Sequence, residues 1–225
     1  MKKNSKIRVL IWVLALTPPV LAAILYNSLP DMIPMNWGLG GAVRYDPKIN
    51  IWWIAGMSPA VAALLMVIPK IDPRKKNYEK FRGFYDGFCL FMMMFMLGIV
   101  GIILSESFYP GRLQIDFVIT AACGLLFAFL GNMMPKVKSN FFMGIRTPWT
   151  LSSTEVWNKT HRLGGFLWFF GGLLVFGMSF FLRDAALFIA LMAIVAVMAL
   201  IPVVMSYIWF QKLPPADGDC EQKES

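Results

Sequence analysis

Charge is missing from most of this chain, and where it is missing decides what the chain can be. Six segments, 9–26, 49–68, 87–104, 117–134, 163–182 and 185–210, contain no Asp, Glu, Lys or Arg. Ionisable groups in mid-membrane are the usual mark of ion and proton pathways. Here Asp86, Asp116, Arg183 and Asp184 fall only near segment ends, which argues against a proton-coupled pump. Histidine occurs once, at His161, with no cysteine or carboxylate at ligand spacing around it, so no metal is expected. Cys89 and Cys123 lie inside apolar segments and Cys220 in the polar tail, which leaves no pair for a structural disulfide. The phosphate-binding and hydrolase patterns G-x-x-x-x-G-K, G-x-G-x-x-G, H-E-x-x-H and G-x-S-x-G are absent. With no second carboxylate beside Glu155 for acid–base work, no catalytic residue and no cofactor are expected, and the chain reads as a non-enzyme.

What is present is apolar. Apolar residues make up 58% of the 225 and mean hydropathy is +0.62, above the ~45–50% apolar content of soluble domains. About 20 apolar residues in a helix cross a hydrocarbon core of ~30 Å, and all six segments approach or reach that length. The alternation of membrane β-strands is absent, so the expected fold class is all-α, a polytopic bundle of six transmembrane helices. Lys2, Lys3, Lys6 and Arg8 ahead of the first segment imitate a signal peptide. Its apolar run is too long and no A-x-A site follows, so it is read as a retained helix kinked at Pro18-Pro19. With both termini in the cytoplasm, seventeen of the 21 Lys and Arg residues fall inside; Arg44, Lys48, Arg112 and Arg183 fall outside. Basic loops beside anionic headgroups then account for the net charge of +8, and direct nucleic-acid binding is not expected.

Each set of three segments has the same layout: helix, long loop, helix, short connection, helix. Three is odd, so such a repeat would be an inverted 3+3 arrangement. The sequence echo is loose, with Pro34, Asn36, Gly41, Arg44 and Pro47 set against Pro135, Asn140, Gly144, Arg146 and Pro148. A two-residue turn at Arg183-Asp184 is expected to join the last two segments as an antiparallel pair. The outer loop 27–48 holds prolines at 30, 34 and 47 and glycines at 38, 40 and 41, the composition of a shaped loop. Its Trp37 and Tyr45 are either headgroup-level anchors or, for Trp37 with Asn36 and Arg44, part of a recognition surface. The polar tail from 213 is expected to be disordered.

The longest polar interruption runs from Asn132 to Arg162. Within it Ser152-Ser-Thr-Glu155 fits a capping box and predicts a helix start. From there Val156, Thr160 and Leu163 share one face with Trp157 on its flank, opposite Glu155, Asn158, Lys159 and Arg162. That pattern predicts a short amphipathic helix at the inner membrane surface, with Gly164-Gly165 letting the chain bend into the fifth span. Ahead of it, Gly144-Ile-Arg-Thr-Pro-Trp149 joins a flexible point, a cation and a rigid Pro-aromatic step. Arg146 can clamp a carboxylate or phosphate, or pair with Glu155 or a headgroup. His161, one turn from Trp157, is expected to pack or hydrogen-bond within the loop.

Three runs here carry a family likeness: Gly131-Asn-Met-Met-Pro-Lys136, the stretch NFFMGIRTPWTLS from Asn140, and VWNKTHRLGG from Val156. They resemble the SdpI family of bacterial membrane proteins, named for immunity to the Sdp peptide toxin. Leu29-Pro-Asp-Met-Ile-Pro34 with Gly41 is similar to DUF1648, a small domain of unknown function that precedes this region in many members. The resemblance divides the chain into a DUF1648-like region over 1–83 and an SdpI-type region over 84–212, ahead of the tail 213–225. It implies a multi-pass protein of the bacterial cytoplasmic membrane, surrounded by lipid, that meets a secreted peptide toxin outside. Inside, it implies that the protein can hold a cytoplasmic DNA-binding repressor. The candidate ligand or partner residues are Pro34, Asn36, Trp37 and Arg44 in the outer loop. In the inner loop they are Asn132, Pro135, Lys136, Asn140, Gly144 and Arg146, continuing with Thr147, Pro148, Trp149, Trp157, His161 and Arg162. Many family loops carry histidine after the Ile-Pro step where this chain has Asn36, which argues against a pH- or metal-dependent role there. The alternative class is a transporter or lipid-handling membrane protein.

The charge assignment is testable by topology. Reporter fusions after Lys48 and after Lys138 should report outside and inside, respectively; the reverse pattern would end the six-span assignment.

Overall fold

The computed structural model describes residues 5–37 and 43–214. Cys220, the glycines Gly38, Gly40 and Gly41, and the expected tail disorder beyond residue 214 lie outside the described residues. In chain order the elements are α1 (Ser5–Leu25), β1 (Met32–Trp37), β2 (Val43–Pro47), α2 (Ile51–Ile71), α3 (Lys75–Lys80), α4 (Arg82–Phe108), α5 (Ile115–Met133), α6 (Pro148–Ser152), α7 (Thr154–Met178) and α8 (Asp184–Gln211). All but α3 and α6 among the helices are long and apolar enough to cross a membrane, which matches the six segments of the sequence. Large apolar side chains such as Ile24, Trp53 and Phe181 stand exposed on them, as lipid-facing surfaces should.

Two local expectations are corrected, and the outer loop takes a definite form. The outer loop is a β-hairpin, with Met32 opposite Pro47 and Trp37 opposite Val43 and an irregularity between Pro34 and Asn36. Period-2 patterning was hidden there because the strands are short and rich in proline. Helix α7 is one element from Thr154 to Met178, so the expected surface helix is the start of the fifth span rather than a separate helix. Gly164 and Gly165 are buried, and a Cβ on Gly165 would stand 2.6 Å from the Pro135 ring. The connection between α7 and α8 spans 179–183 rather than two residues. Glu106 lies within α4, where its carboxylate accepts the Gly111 and Leu113 amides at 2.8 Å each.

The helices pack as two groups of three. In the first, α1 lies against α2 and α4, and α2 against α4; in the second, α7 lies between α5 and α8. The α5–α7 contact is made by small residues, because lipid supplies no hydrophobic drive and only close backbone approach gives dispersion enough. A Cβ on Gly131 would lie 2.2 Å from the Phe169 amide nitrogen, and one on Gly172 would lie 2.3 Å from that of Ala128. Between the groups, the Phe91 and Phe129 rings stack with centroids 4.2 Å apart.

Prolines inside three spans, α1, α2 and α8, free backbone carbonyls that lipid cannot hydrogen-bond, and at two of them a neighbouring helix supplies the donor. Pro202 removes the donor for the Met198 carbonyl, and the Trp168 indole N–H supplies one from α7 at 3.0 Å. Pro69 does the same to the Leu65 carbonyl, which receives the Tyr85 hydroxyl from α4. Pro69 and Pro202 thus each direct a specific helix pairing.

Helix α4 carries an apolar cluster at each end. Near its start, Phe81, Tyr85, Cys89 and Met93 pack with Ile11, Ala15 and Leu65, and also with Val137 and Trp157 of the motif region. Near its end, Val100, Ile103 and Leu104 pack with Leu29, Ile33 and Ile51 beneath the hairpin. The hairpin and the motif therefore occupy opposite ends of the bundle. Gly131→Ala should lower the thermal midpoint in detergent, with an overpacking cost of about 1–3 kcal/mol. An unchanged midpoint would mean that the α5–α7 contact is looser than these distances require.

Candidate functional site

The polar residues at the motif end come from two connections, 72–81 and 134–153, and they interlock. Asn140 is 0% exposed and uses both ends of its amide. Its Oδ1 accepts the Phe142 amide at 2.9 Å and the Met143 amide at 2.6 Å, while its Nδ2 donates to the Lys138 carbonyl at 2.9 Å. An Asx-type turn of this kind fixes the local backbone without regular structure.

Asp72, 1% exposed, is the counterpart from the first triplet. Its carboxylate accepts the Arg74 amide at 2.7 Å and, across the loops, the Phe141 amide at 2.9 Å. The Tyr78 hydroxyl stands between, 3.1 Å from Asp72 Oδ2 and 3.2 Å from Asn140 Oδ1. Burial, then the neighbouring Asp72 charge and its hydrogen bond, push the Tyr78 phenol above its ordinary pKa, with Arg146 acting in the opposite sense. It therefore stays a proton donor at neutral pH. Arg74 completes the junction by donating to Ser139 Oγ and, at 3.1 Å, to the Leu151 carbonyl, with its guanidinium 4.9 Å from the centre of the Phe141 ring. Asn77 donates to the Ser139 carbonyl at 2.7 Å. A buried carboxylate is tolerated only when so supplied with donors.

His161 and Trp157 form the second layer. They are 1% and 0% exposed, and their rings stack at 3.9 Å. His161 Nε2 accepts the Ile145 amide at 3.1 Å, which places the proton on Nδ1, 2.9 Å from the Trp157 carbonyl. The Trp157 indole donates to the Val137 carbonyl at 2.9 Å. This is the packing and hydrogen-bonding role expected of His161. Gly144 is required where it stands, since its φ is +98° and a Cβ would lie 2.2 Å from His161 Nε2.

The Thr-Pro-Trp step docks onto α8. Thr147 caps α6 reciprocally with Thr150, whose side chains and amides exchange hydrogen bonds at 2.9 and 3.2 Å. The Thr147 hydroxyl also lies 3.0 Å from that of Ser206, and Trp149 packs on Tyr207 with ring centres 5.0 Å apart. Pro148 takes the first helical position, where a missing N–H costs nothing.

The expected capping box at Ser152 and Glu155 does not form. Ser153 is the cap, accepting the Val156 amide at 3.3 Å, while Ser152 donates to the Pro148 carbonyl at 2.8 Å. Glu155 pairs with Lys159, one turn on. The box pattern was ambiguous because two serines adjoin, and the α6 turn consumes the first.

Of the inner candidates, Asn140, Thr147, Trp157 and His161 are thus buried together. Asn132, Pro135, Lys136, Gly144, Arg146, Pro148 and Arg162 are exposed and Trp149 is half-buried. Arg146 donates to the Phe141 carbonyl rather than to Glu155. Lys136 lies over the Phe84 ring at 4.4 Å. Asp72, Arg74, Asn77 and Tyr78 were missed by sequence reasoning, which counted that loop only as charge; Asp72-Pro73 was the available turn signal.

At the other end, Asn36 and Arg44 face each other across the hairpin. Arg44 is exposed and pairs with Asp46 at 3.2 Å, a contact of small energetic weight in solvent. Pro34 is buried, Trp37 is half-buried against the apolar cluster, and its buried indole nitrogen has no hydrogen-bond partner among the described residues. Lys48 closes the hairpin base, pairing with Asp31 at 3.1 Å and donating its amide to the Asp31 carbonyl at 2.9 Å.

Residues 136–206 match the SdpI/YfhL protein family, and residues 13–58 match DUF1648, a domain of unknown function. The chain carries an SdpI-type region behind a DUF1648 region. The first match begins in the junction loop and ends at Ser206, the α8 residue that Thr147 reaches; the second spans the hairpin, the later part of α1 and the first part of α2. The chain is also similar to the immunity protein SdpI of Bacillus subtilis (strain 168), 25% identical over 213 residues that cover 95% of this chain and 98% of the relative. No solved structure matches it. With six spans and this likeness, the protein is a multi-pass protein of the bacterial cytoplasmic membrane.

The cap assignment gives a direct test. Ser153→Ala should cost about 0.5–2 kcal/mol of local helix stability and speed hydrogen exchange at Val156. Ser152→Ala should leave that amide unchanged, and the converse result would restore the box.

Proposed function

We propose that this protein is an immunity protein that protects its host cell from a secreted peptide toxin. The near full-length likeness to the Bacillus subtilis immunity protein SdpI carries this reading. The toxin would engage the hairpin end, where Asn36 and Arg44 form an exposed cross-strand pair. With the basic end in the cytoplasm, Lys136, Arg146 and Arg162 present cations on the opposite face, where a soluble DNA-binding repressor would dock. Trp157 and His161 are buried in the first turns of α7 and act only by holding that surface in shape. Asn132, Pro135, Gly144, Pro148 and Trp149 border it.

A sensitive strain expressing the chain and challenged with the Sdp peptide toxin tests this division. Arg44→Ala and Asn36→Ala should lose protection at unchanged membrane abundance. Arg146→Ala and Arg162→Ala, both exposed, should shift stability by no more than ~0.5 kcal/mol; they should keep protection and lose recruitment of a soluble partner. Asn140→Ala removes the acceptor of the part-buried amides of Phe142 and Met143, at about 0.5–1.5 kcal/mol each, and should lose both functions together with thermal stability. Full protection by the hairpin variants would overturn the toxin site. A fall in stability matching every loss at Arg146 and Arg162 would overturn the docking surface.

A further inference from the structure

A cavity of about 540 Å³ opens at the basic end of the first triplet, with Tyr78 of the Asp72 junction in its wall and the hairpin at the opposite end of the bundle. Its rim carries Arg8 from α1, Lys70 from α2, Lys75 and Lys76 from α3, and Arg82 from α4. Glu79 and Asp86 also line it, and Arg82 pairs with Asp86 at 3.9 Å, so five cations against two carboxylates leave a surplus of three positive charges. Deeper in, the wall is apolar: Ile11, Met66 and Cys89, with the Tyr85 ring beside them. Arg8, Lys70 and Arg82 lie at or just beyond the charge-free ends of three spans, which is the depth of a lipid phosphate.

We propose that this cavity binds one anionic phospholipid, its phosphate held by the basic rim and the start of an acyl chain lying on the apolar floor. Three observations favour an amphiphile over a free anion. The volume lies within the ~300–1,000 Å³ of small-ligand pockets. Lys70, Lys75 and Lys76 are exposed while Ile11, Tyr85 and Cys89 are buried, an order that a hydrated anion would not require. The position between spans at the membrane surface matches basic pockets that take lipid headgroups. Bound there, the lipid would join α1, α2, α3 and α4 at the same end as the Asp72 junction. The assignment is independent of the immunity reading.

Native mass spectrometry of the detergent-purified full chain tests it, with phosphatidylglycerol, phosphatidylcholine and inorganic phosphate as probes. One phosphatidylglycerol should be retained in clear preference to phosphatidylcholine, and millimolar phosphate should not displace it. The double variant Lys75→Gln/Lys76→Gln, altered at exposed side chains, should weaken retention roughly thirtyfold, at about fivefold per cation. The control pair Lys138→Gln/Lys212→Gln, exposed and outside the cavity, should leave retention unchanged. Equal retention of the two lipids overturns the proposal, as does an equal loss in the control pair, which would mean diffuse surface attraction. Displacement by phosphate would mean a small-anion site and overturn the lipid assignment.

Discussion

Asp72 and Asn140 come from loops that lie 68 positions apart, and they meet across one tyrosine hydroxyl with almost no access to water. Everything at the basic end of the protein depends on that meeting. A buried carboxylate has a large desolvation cost and a buried amide a smaller one. Here both are met by backbone N–H groups that in turn lose their only acceptors if either side chain is withdrawn. The junction therefore forms as a unit, and it ties the first triplet to the second outside the hydrocarbon, where hydrogen bonds rather than small-residue packing must supply the contact. Arg74 extends the tie to the α6 turn, and α6 passes it to α8 through Thr147 and Trp149.

Inside the spans the same constraint acts through proline. A helix in lipid must satisfy every backbone group internally or from a neighbour. Pro69 and Pro202 break that rule within their own helices, and Tyr85 and Trp168 restore it from adjacent ones. An aromatic side chain with one polar atom suits this role, because its ring packs as apolar bulk while its single donor reaches the freed carbonyl. The prolines thereby act as positional labels: α2 must lie beside α4, and α8 beside α7. Small residues on α5 and α7 add a second, steric label of the same kind.

The motif region shows why a surface of recognition and a structural brace are hard to separate in a linear sequence. Asn140, Arg146, Trp149 and His161 are all polar or amphipathic residues in a loop, and each type occurs both at binding hot spots and in satisfied interiors. Burial distinguishes them. His161 and Asn140 have all their hydrogen-bonding capacity turned inward, whereas Arg146 spends one guanidinium nitrogen on the Phe141 carbonyl and keeps the rest at the surface. The hairpin shows the same division, with Ile33 fully buried beneath it and Asn36 and Arg44 outside.

By itself the sequence determined the class of protein, the number of spans and the location of the loops that differ from lipid, because each is set by the length and order of apolar runs against a bilayer of fixed thickness. The role of His161 was legible too, since a lone histidine one helical turn from a tryptophan has few other uses. Tertiary structure alone decided the rest. Asp72, Tyr78 and Arg74 looked like ordinary members of a basic loop until burial gave them partners more than sixty residues away. Ser153 rather than Ser152 became the cap because α6 claimed the first serine. Gly164 and Gly165 served close packing, because Pro135, Met134 and Ile145 press against them. The hairpin required Ile33 to find the end of α4. In each case the residue type permits two local outcomes of similar energy, and a contact distant in sequence selects between them.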